Sequence, residues 1–340
     1  INVETSNPNS EVKIERLDSL TYMESNVTRL ALSKTVQLTS GDNYFKVTVI
    51  SEDKEVTEDY ILRINFAEIV TIFGRVYDVI TTAPNLKDSS NNTNDVSGLY
   101  KSTATNDGRP TYYFRGNVEN NYVDFAGYTW RIVRINEDGT IRMINTSAIT
   151  NRTQFNANAN SKNIMYYSLA STVNTLLSNW YQTKIVDKSL SDYVSTGDYF
   201  CEKAKVKVAS VATSDNAIME LYSDYKPNFE CKDDANDHGM VNSNVGLITY
   251  DEILHAGGYY NKTNSNYYLY RIGPTWTMSP AGIESSIGFV WGLNNQTING
   301  KLGYHNAYYT QSLGLSPVIN LKPNVPVTGT GEADNHFVVQ

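Results

Sequence analysis

The chain contains two cysteines, Cys201 and Cys231, and these side chains have the most distinctive chemistry. Two cysteines thirty positions apart in a chain of 340 residues are consistent with one disulfide formed in an oxidising compartment. Each cysteine follows a strand-like aromatic segment, DYFC and NFEC, which is a common setting for a covalent link across a loop. We therefore predict a Cys201–Cys231 disulfide, with two buried thiols as the alternative.

Carboxylates follow the second cysteine in the segment CKDDANDHG. Calcium takes about six to eight oxygen ligands, and Asp233, Asp234 and Asp237 together with backbone carbonyls would supply some of them. The alternative is a solvated acidic loop. Because the chain has no sequence motif for zinc, for an EF-hand or for nucleotide phosphates, calcium is the one cofactor that the sequence leaves open, and otherwise we expect none.

Nucleophilic catalysis requires a histidine near a serine or cysteine. None of the four histidines lies in a local sequence typical of such a site; they are His238, His255, His305 and His336. His255 falls on a predicted short helix, where we interpret it as a structural or surface residue. The sequence therefore predicts no catalytic residue.

Aromatic and amide side chains are mixed together late in the sequence. Sugar rings pack on aromatic faces while their hydroxyls bind amides, and the same composition suits protein interfaces. The candidate ligand-binding residues are Trp276, Trp291, Tyr304, Tyr308, Tyr309, Asn294 and Asn306. For Trp276 and Trp291, packing in the core is the alternative role.

The charge balance limits the classes of partner. The chain has 28 Lys and Arg against 36 Asp and Glu, which gives a net charge of −8 without a long basic run. Nucleic acids and anionic membranes attract cationic patches, and no apolar run approaches the roughly 18–20 residues of a membrane span. We therefore expect neither a nucleic-acid partner nor a membrane span in this chain.

The polar composition indicates where the protein works. Tyrosine occurs 25 times, and asparagine, serine and threonine supply much of the polar sequence. This composition is typical of bacterial surface proteins, with an ordinary acidic cytosolic protein as the alternative. The chain starts without a signal peptide, which we interpret as a fragment or a processed form. We expect an extracellular, cell-surface location.

The first 67 residues predict a sheet. Apolar and polar side chains alternate over 45–49 and over 60–66, which places one apolar set on one buried face of each strand. The polar segment 51–55 joins the two runs, so they predict a hairpin. Residues 68–98 follow as a linker or a loop.

Residues 99–340 predict one larger α+β domain. The hairpin YTWRIVRI-NEDG-TIRMI turns at Asp138-Gly139. A helix is predicted with Ser168 as its N-cap and with an apolar stripe formed by Leu169, Val173, Leu176, Leu177 and Trp180. A second, short helix is predicted from the capping box Thr249–Glu252 and from the glycines at 257–258. Five later segments predict strands, namely NYYLYRI, PTWTMSP, IGFVWGLN, SPVINLK and HFVVQ.

The first 66 residues resemble the cadherin-like β-sandwich repeats of Gram-positive surface proteins. The resemblance is carried by the segments SNPNSEVKI and LTSGDNYFKVTVISEDKEVTEDYILRINF. It implies an immunoglobulin-like sandwich, although Lys54 stands where the family has a glycine after Glu-Asp. Such repeats usually have one or two strands before the position of Ile1, so we expect that either the chain is cut inside the domain or another segment fills that edge. Because an unpaired apolar edge is adhesive, we expect that a neighbouring protomer could complete this sheet.

The second region resembles a family of domains in Firmicutes surface and secreted proteins with features of C-type-lectin-like folds. The segments that carry it include GRPTYYFRGNVENNYVDFAGYTWRIVRINEDGTIRMI, GLITYDEILHAGG, NYYLYRIGPTWTMSP and LSPVINLKP. Ser316 stands where the family has an arginine in its closing motif, so the resemblance implies no guanidinium at this position. An enzyme branch of this fold uses paired thiols with copper, which gives Cys201 and Cys231 a catalytic alternative.

Together these observations predict a mainly β protein. Its parts are an N-terminal immunoglobulin- or cadherin-like sandwich at 1–67 and a C-type-lectin-like α+β head at 99–340. The expected function is non-enzymatic: an adhesin or filament subunit that binds a carbohydrate or protein ligand on a host or cell wall. The alternatives are a secreted oxidase or hydrolase on the same head and a purely structural pilus-like subunit.

Overall fold

The computed structural model describes most of the chain, with gaps that lie mainly in polar segments. The described residues are 1, 3, 5–7, 9–18, 21–22, 36, 38, 41–66, 70–76, 87–88, 97–157, 166–167, 171–202, 227–231, 239–258, 264–284, 287–293, 302–308 and 313–340. The chain divides into two compact units, Ile1–Ile69 and Val70–Gln340. Strands dominate both units, so the protein is mainly β, as predicted.

The first unit contains one four-stranded antiparallel sheet with the order β2-β1-β3-β4. Its strands are β1 Glu11–Asp18, β2 Thr21–Tyr22, β3 Gly41–Ile50 and β4 Thr57–Phe66. The predicted hairpin is confirmed, because β3 and β4 pair in unbroken register from Gly41 opposite Phe66 to Ile50 opposite Thr57. The described residues of this unit form this one sheet, so a second layer of a sandwich stays a prediction.

The apolar set of β4 is not buried, contrary to the sequence prediction. Phe45 and Val47 of β3 are buried, but the residues opposite them, Leu62 and Tyr60, are 37% and 55% exposed. The small core of this unit is formed by Val12, Ile14 and Val47, and Ile1 and Val3 pack against it. These apolar residues cover β1 and β3, whereas β4 lies at one edge of the sheet. Alternation predicted the faces of β4 but not its position at the edge.

The turn between β3 and β4 places Lys54 at φ 65°, in the left-handed region. The N–H of Lys54 donates to the carbonyl of Ser51, and the N–H of Ser51 donates to the carbonyl of Val56. A β-carbon is unfavourable at this φ, which explains why glycine is the better residue here. The turn therefore keeps the geometry of a glycine turn although a lysine occupies it.

We expect Lys54→Gly to stabilise the β3–β4 hairpin by about 0.5–1 kcal/mol, since the relief of strain exceeds the added entropy of the unfolded glycine. Hydrogen–deuterium exchange of peptides from residues 41–66 measures the effect as slower amide exchange. Lys54→Ala is the matched control, because alanine keeps the β-carbon and should not slow exchange. Equal protection of the two variants would contradict this account of the turn.

The described residues of the second unit form three sheets. A nine-stranded sheet follows the path β19-β20-β8-β9-β7-β6-β5, with β10 pairing both β9 and β18. A five-stranded sheet has the order β11-β17-β14-β15-β16, and β12 pairs β13. The strands are β5 Lys87–Asp88, β6 Gly98–Ser102, β7 Thr111–Arg115, β8 Tyr122–Phe125, β9 Tyr128–Ile135, β10 Ile141–Asn145, β11 Thr150–Thr153, β12 Tyr199–Cys201, β13 Met240–Asn242, β14 Thr275–Glu284, β15 Ile287–Leu293, β16 Leu302–Asn306, β17 Leu313–Leu315, β18 Val318–Leu321, β19 Val327–Thr328 and β20 Phe337–Val339.

The hairpin β9–β10 is confirmed and lies at the centre of this unit. Gly139 has φ 86°, the conformation predicted for the loop. Most side chains of the two strands are buried, because β9 is flanked by β7, β8 and β10, and β10 also pairs β18. The segment thus forms a rigid platform to which polar side chains can be fixed.

The first of the two predicted helices, α1, covers Thr172–Tyr181 and is followed by a π-helical turn, Gln182–Val186. Its N-cap is Ser171, whose Oγ accepts a hydrogen bond from Asn174 N, so the predicted N-cap Ser168 is wrong. Ser168 and Leu169 lie outside the described residues. Of the remaining predicted stripe, Val173, Leu177 and Trp180 are buried and Leu176 is 38% exposed.

The second helix, α2, covers Tyr250–Ala256 and confirms the capping box. Thr249 Oγ1 accepts from the N–H of Glu252, and the Glu252 carboxylate accepts from the N–H of Thr249. Gly257 ends the helix at φ 115°. This short helix fixes one glutamate at a defined place against the β9–β10 hairpin.

The segment NYYLYRI does not form the predicted strand but a 3₁₀ helix, Tyr268–Ile272. Tyr267, Tyr268 and Leu269 are consecutive and all buried, and a short apolar run of this kind has no periodicity that separates strand from helix. The other four predicted late strands are confirmed as parts of β14, β15, β18 and β20.

Residues 70–76, which the sequence placed in a linker or loop, pack in the core of the second unit. Ile72 and Val76 are buried in its main hydrophobic cluster, and Ile72 N donates to Val325 O at 2.8 Å.

Across the described residues, none of the helices has the length and apolar character needed to cross a bilayer.

Candidate functional site

A polar cleft of about 350 Å³ lies in the second unit, where the β9–β10 hairpin, the start of α2 and the two cysteines meet. Seven carboxylates and three arginines line it, together with several asparagines and two phenylalanines. This lining is unusual, because small-molecule sites are mostly apolar with few polar groups. The contacts of these charged and amide groups decide what the cleft can bind.

One wall of the cleft is the predicted disulfide. Cys201 and Cys231 are bonded, with their Cα atoms 5.5 Å apart, and both line the cleft. Cys201 ends β12, and Cys231 N donates to Asn106 Oδ1 at 2.7 Å. The bond therefore ties segment 227–231 to the end of β12 beside the cleft.

The centre of the polar network is Glu252, which is 3% exposed. Its Oε1 lies 2.6 Å from Arg142 Nε and 3.3 Å from Arg134 Nε, while its Oε2 accepts from Thr249 N at 2.9 Å. Arg142 is 1% exposed, so this ion pair is removed from water. Breaking such a pair is costly, since the remaining charge stays buried without its counterion.

The charge state of Glu252 follows from this network. Burial alone raises the pKa of Glu252, but the attraction of Arg142 and Arg134 and the hydrogen bond from Thr249 exceed that effect. The pKa of Glu252 therefore lies below its ordinary value, and the carboxylate is ionised at neutral pH. Burial lowers the pKa of Arg142, but an arginine starts so high that it stays protonated.

Arg142 also has a donor without a described acceptor. Its guanidinium packs over the Phe200 ring, with Cζ 4.4 Å from the ring centre. Its Nη1 is buried and makes no hydrogen bond to any group in the described part of the chain. A buried guanidinium N–H without an acceptor is energetically unfavourable, and an oxygen atom of a bound molecule would satisfy it.

Acceptor atoms complement this donor. Asn136 uses its Nδ2 to donate to Thr140 and Asn320, while its Oδ1 is buried without a hydrogen bond to the described residues. Asp198 accepts from Ser195 through Oδ1, and its buried Oδ2 is likewise without a described donor. Both residues line the cleft. Three residues that line the cleft thus have a polar atom without a described hydrogen-bond partner, one of them a donor and two of them acceptors.

Phe229 and His255 support the cleft from behind. The two rings stack with centres 4.1 Å apart, and Arg134 Cζ lies 4.8 Å from the Phe229 centre. His255 is 2% exposed, so it is structural and not a surface residue. Burial lowers the pKa of His255 to about 3, which keeps the imidazole neutral. Its role is packing that holds Phe229 in place.

Of the residues predicted to bind a ligand, those that the structure describes do not line this cleft. Trp276 and Trp291 are 0% and 1% exposed, and Trp276 Nε1 donates to Thr153 O at 2.9 Å. They have the packing role that the sequence left open, because β14 and β15 are inner strands of their sheet. Tyr304 and Asn306 are half-buried on β16, and Tyr308 is 40% exposed. Tyr309 and Asn294 lie outside the described residues.

The predicted calcium ligands Asp233, Asp234 and Asp237 also lie outside the described residues. Within the part of the chain that the structure describes, no group of three or more His, Cys, Asp or Glu side chains is arranged to hold a metal ion. The calcium site therefore stays a prediction.

One feature of the sequence indicated the charged network of the cleft, although it belongs to no known motif. The register of the β9–β10 hairpin places Arg134 directly opposite Arg142. Like charges opposite each other destabilise a sheet, so two arginines in a buried hairpin require an anion between them. That anion is Glu252, and its distance along the chain explains why no local motif revealed it.

Comparisons with known proteins give no family by which to interpret the cleft. No family model, no curated protein and no solved structure matches this chain.

Proposed function

We propose that this protein is an extracellular surface protein whose second unit binds a carbohydrate in the cleft beside the Cys201–Cys231 disulfide. The observation that carries the proposal is that three residues lining one concave surface, Arg142, Asn136 and Asp198, each have a buried polar atom without a hydrogen bond to the described residues. A sugar hydroxyl donates and accepts at once, so neighbouring hydroxyls can satisfy such a mixed set.

The charge of the cleft favours an uncharged or amino sugar over an anionic one. Its lining has seven carboxylates and three arginines. All three arginines already pair with acids: Arg109 with Asp107, Arg134 with Glu137 and Glu252, and Arg142 with Glu252. A phosphate or a uronic acid would meet the excess negative charge of the rim, which costs affinity.

The disulfide supports the proposed location. Disulfides persist in oxidising compartments such as the cell exterior and are rare in the cytosol. The resemblance of the sequence to Gram-positive surface proteins favours the same location, and a binding role on that surface is that of an adhesin.

A glycan array followed by calorimetry on the best hit tests this function. We expect Asp198→Asn to weaken binding at least tenfold, because a charge-assisted hydrogen bond contributes about 1.5–3 kcal/mol and about 1.4 kcal/mol is a factor of ten. The amide has nearly the same shape as the carboxylate. Its Oδ1 can still accept from Ser195, so the fold should be unchanged.

Tyr308→Ala is the matched control, because Tyr308 is 40% exposed and belongs to the aromatic set that the sequence favoured. It should leave the affinity unchanged. If Tyr308→Ala abolishes binding while Asp198→Asn does not, the ligand binds near β16 and the cleft is not the site. If no glycan binds, the carbohydrate proposal is wrong.

The enzymatic alternative through paired thiols and copper is not supported by the arrangement of the cysteines. Cys201 and Cys231 are joined to each other, so their sulfurs are not free thiols. An intact mass after alkylation without reductant distinguishes the two readings, because a bonded pair adds no alkyl group.

A further inference from the structure

Strand β4 exposes an apolar edge in the first unit. It is the last strand of the sheet order β2-β1-β3-β4. Three consecutive side chains in its middle are solvent-accessible: Tyr60 at 55%, Ile61 at 58% and Leu62 at 37%. A long apolar edge strand is a template for pairing with another strand.

The outward backbone groups of β4 can be deduced from its pairing with β3. Ser51 N donates to Val56 O, so this pair is hydrogen-bonded, and the register continues without a bulge. In an antiparallel ladder, hydrogen-bonded pairs alternate with pairs whose N–H and C=O groups point away from each other. By this alternation the N–H and C=O groups of Asp59, Ile61 and Arg63 point away from β3.

The side chains of these same residues form a self-complementary pattern. When β4 is laid antiparallel to a copy of itself with Ile61 opposite Ile61, Asp59 lies opposite Arg63, and Arg63 lies opposite Asp59. Tyr60 then lies opposite Leu62 on the other face. Opposite charges and apolar pairs directly across two strands are both stabilising, whereas a one-residue slip would place outward groups opposite inward ones.

We propose that β4 is a homodimer interface, in which two copies of this chain pair antiparallel about a two-fold axis at Ile61. The pairing joins the two four-stranded sheets into one continuous sheet. Because Tyr60 and Leu62 lie on the same face as Val47 and Phe45, the apolar faces of the two copies become continuous.

Charge complementarity selects a second copy as the occupant of this edge. Asp59 and Arg63 are 46% and 62% exposed in their side chains, so both reach beyond the sheet. They already contact Lys46 and Asp42 within the chain, and pairing would extend these contacts into an alternating row of charges. An isologous interface requires a surface that complements itself, and the sequence of β4 has this property.

The solution mass of the full chain, measured by light scattering over a wide concentration range, tests the proposal. We expect the mass to approach that of two chains at high concentration. Asp59→Arg gives the edge two cations and Arg63→Asp gives it two anions, so each variant alone should remain a single chain. An equimolar mixture of the two variants should again form dimers, because each mixed pair joins a cation to an anion.

A cysteine at the two-fold axis provides a test that does not depend on charge. Ile61→Cys should form a covalent dimer under oxidation, because the paired Cα atoms would lie about 5.5 Å apart. Tyr60→Cys is the matched control, since its exposure is similar but its partner is Leu62. A mass of one chain at every concentration overturns the proposal. A dimer that survives both single charge reversals also overturns it, because another surface then forms the contact.

Discussion

Glu252→Gln is expected to lower the free energy of unfolding of the second unit by about 3–5 kcal/mol, because it leaves the buried Arg142 without its counterion. Glutamine keeps the side-chain oxygen that accepts from Thr249 N, so the helix cap is preserved. The loss therefore reports the contacts of Glu252 with the arginines and not the loss of the helix cap. Urea unfolding followed by tryptophan fluorescence measures it, since all four tryptophans lie in the second unit.

Glu137→Gln is the matched control for this prediction. Glu137 pairs with the same Arg134, at 3.2 Å, but lies nearer the surface with 21% of its side chain exposed. An ion pair that water can reach contributes at most about 1 kcal/mol, so the expected loss is small. Equal losses of unfolding free energy in the two variants would mean that the buried Glu252–Arg142 pair stabilises the fold no more than the Glu137–Arg134 pair does.

A compensating change separates a lost ion pair from lost packing. Arg142→Met in the Glu252→Gln background removes the uncompensated charge, and buried ion pairs are replaced by apolar groups with little cost. We therefore expect the double variant to be more stable than Glu252→Gln alone. A double variant that is less stable would place the effect in the shape of the site and not in its charge.

The same network predicts an acid dependence. Because the pKa of Glu252 in the folded protein lies below its ordinary value of 4.5, its contribution is complete above that pH. The contribution is lost as the pH falls through the folded-state pKa. The stability of the wild-type protein should therefore fall more steeply below pH 4.5 than that of Glu252→Gln.

Local patterns predicted the parts of the fold that local contacts determine. The β9–β10 hairpin follows from a turn with a glycine at positive φ, and α2 follows from a capping box, because both are formed by residues within a few positions of each other. Alternation did not reveal that β4 lies at the edge of its sheet with exposed apolar side chains. The pattern of β4 predicts two faces but carries no information on whether another strand lies beside it.

In the candidate site, too, local sequence did not predict the contacts between distant segments. The side-chain types of the tryptophans and tyrosines favoured them as ligand-binding residues. Trp276 and Trp291 instead pack inside, because β14 and β15 are inner strands. The cleft instead combines a hairpin, a helix start and a disulfide from three distant segments. Only the disulfide was predictable from residue type. The opposed Arg134 and Arg142 indicated that an anion was needed, but not that Glu252 would supply it.

Removing the disulfide with Cys201→Ser and Cys231→Ser together is expected to lower the free energy of unfolding by about 3–4 kcal/mol. A link across thirty positions restricts the unfolded chain by about that amount. We also expect weaker ligand binding, because segment 227–231 would lose the covalent anchor that holds it against the cleft. Urea unfolding and calorimetry with the bound glycan measure the two effects.

Reductant supplies the control that isolates the bond from the serine substitutions. It should shift the unfolding midpoint of the wild-type protein towards that of the double variant and leave the double variant unchanged. Asn106→Ala separates covalent from noncovalent anchoring, because Asn106 Oδ1 accepts from Cys231 N without contributing to the bond. Its expected cost is about 1 kcal/mol. If the double variant loses no more stability than Asn106→Ala, hydrogen bonds and packing hold the segment, and the disulfide is not what shapes the cleft.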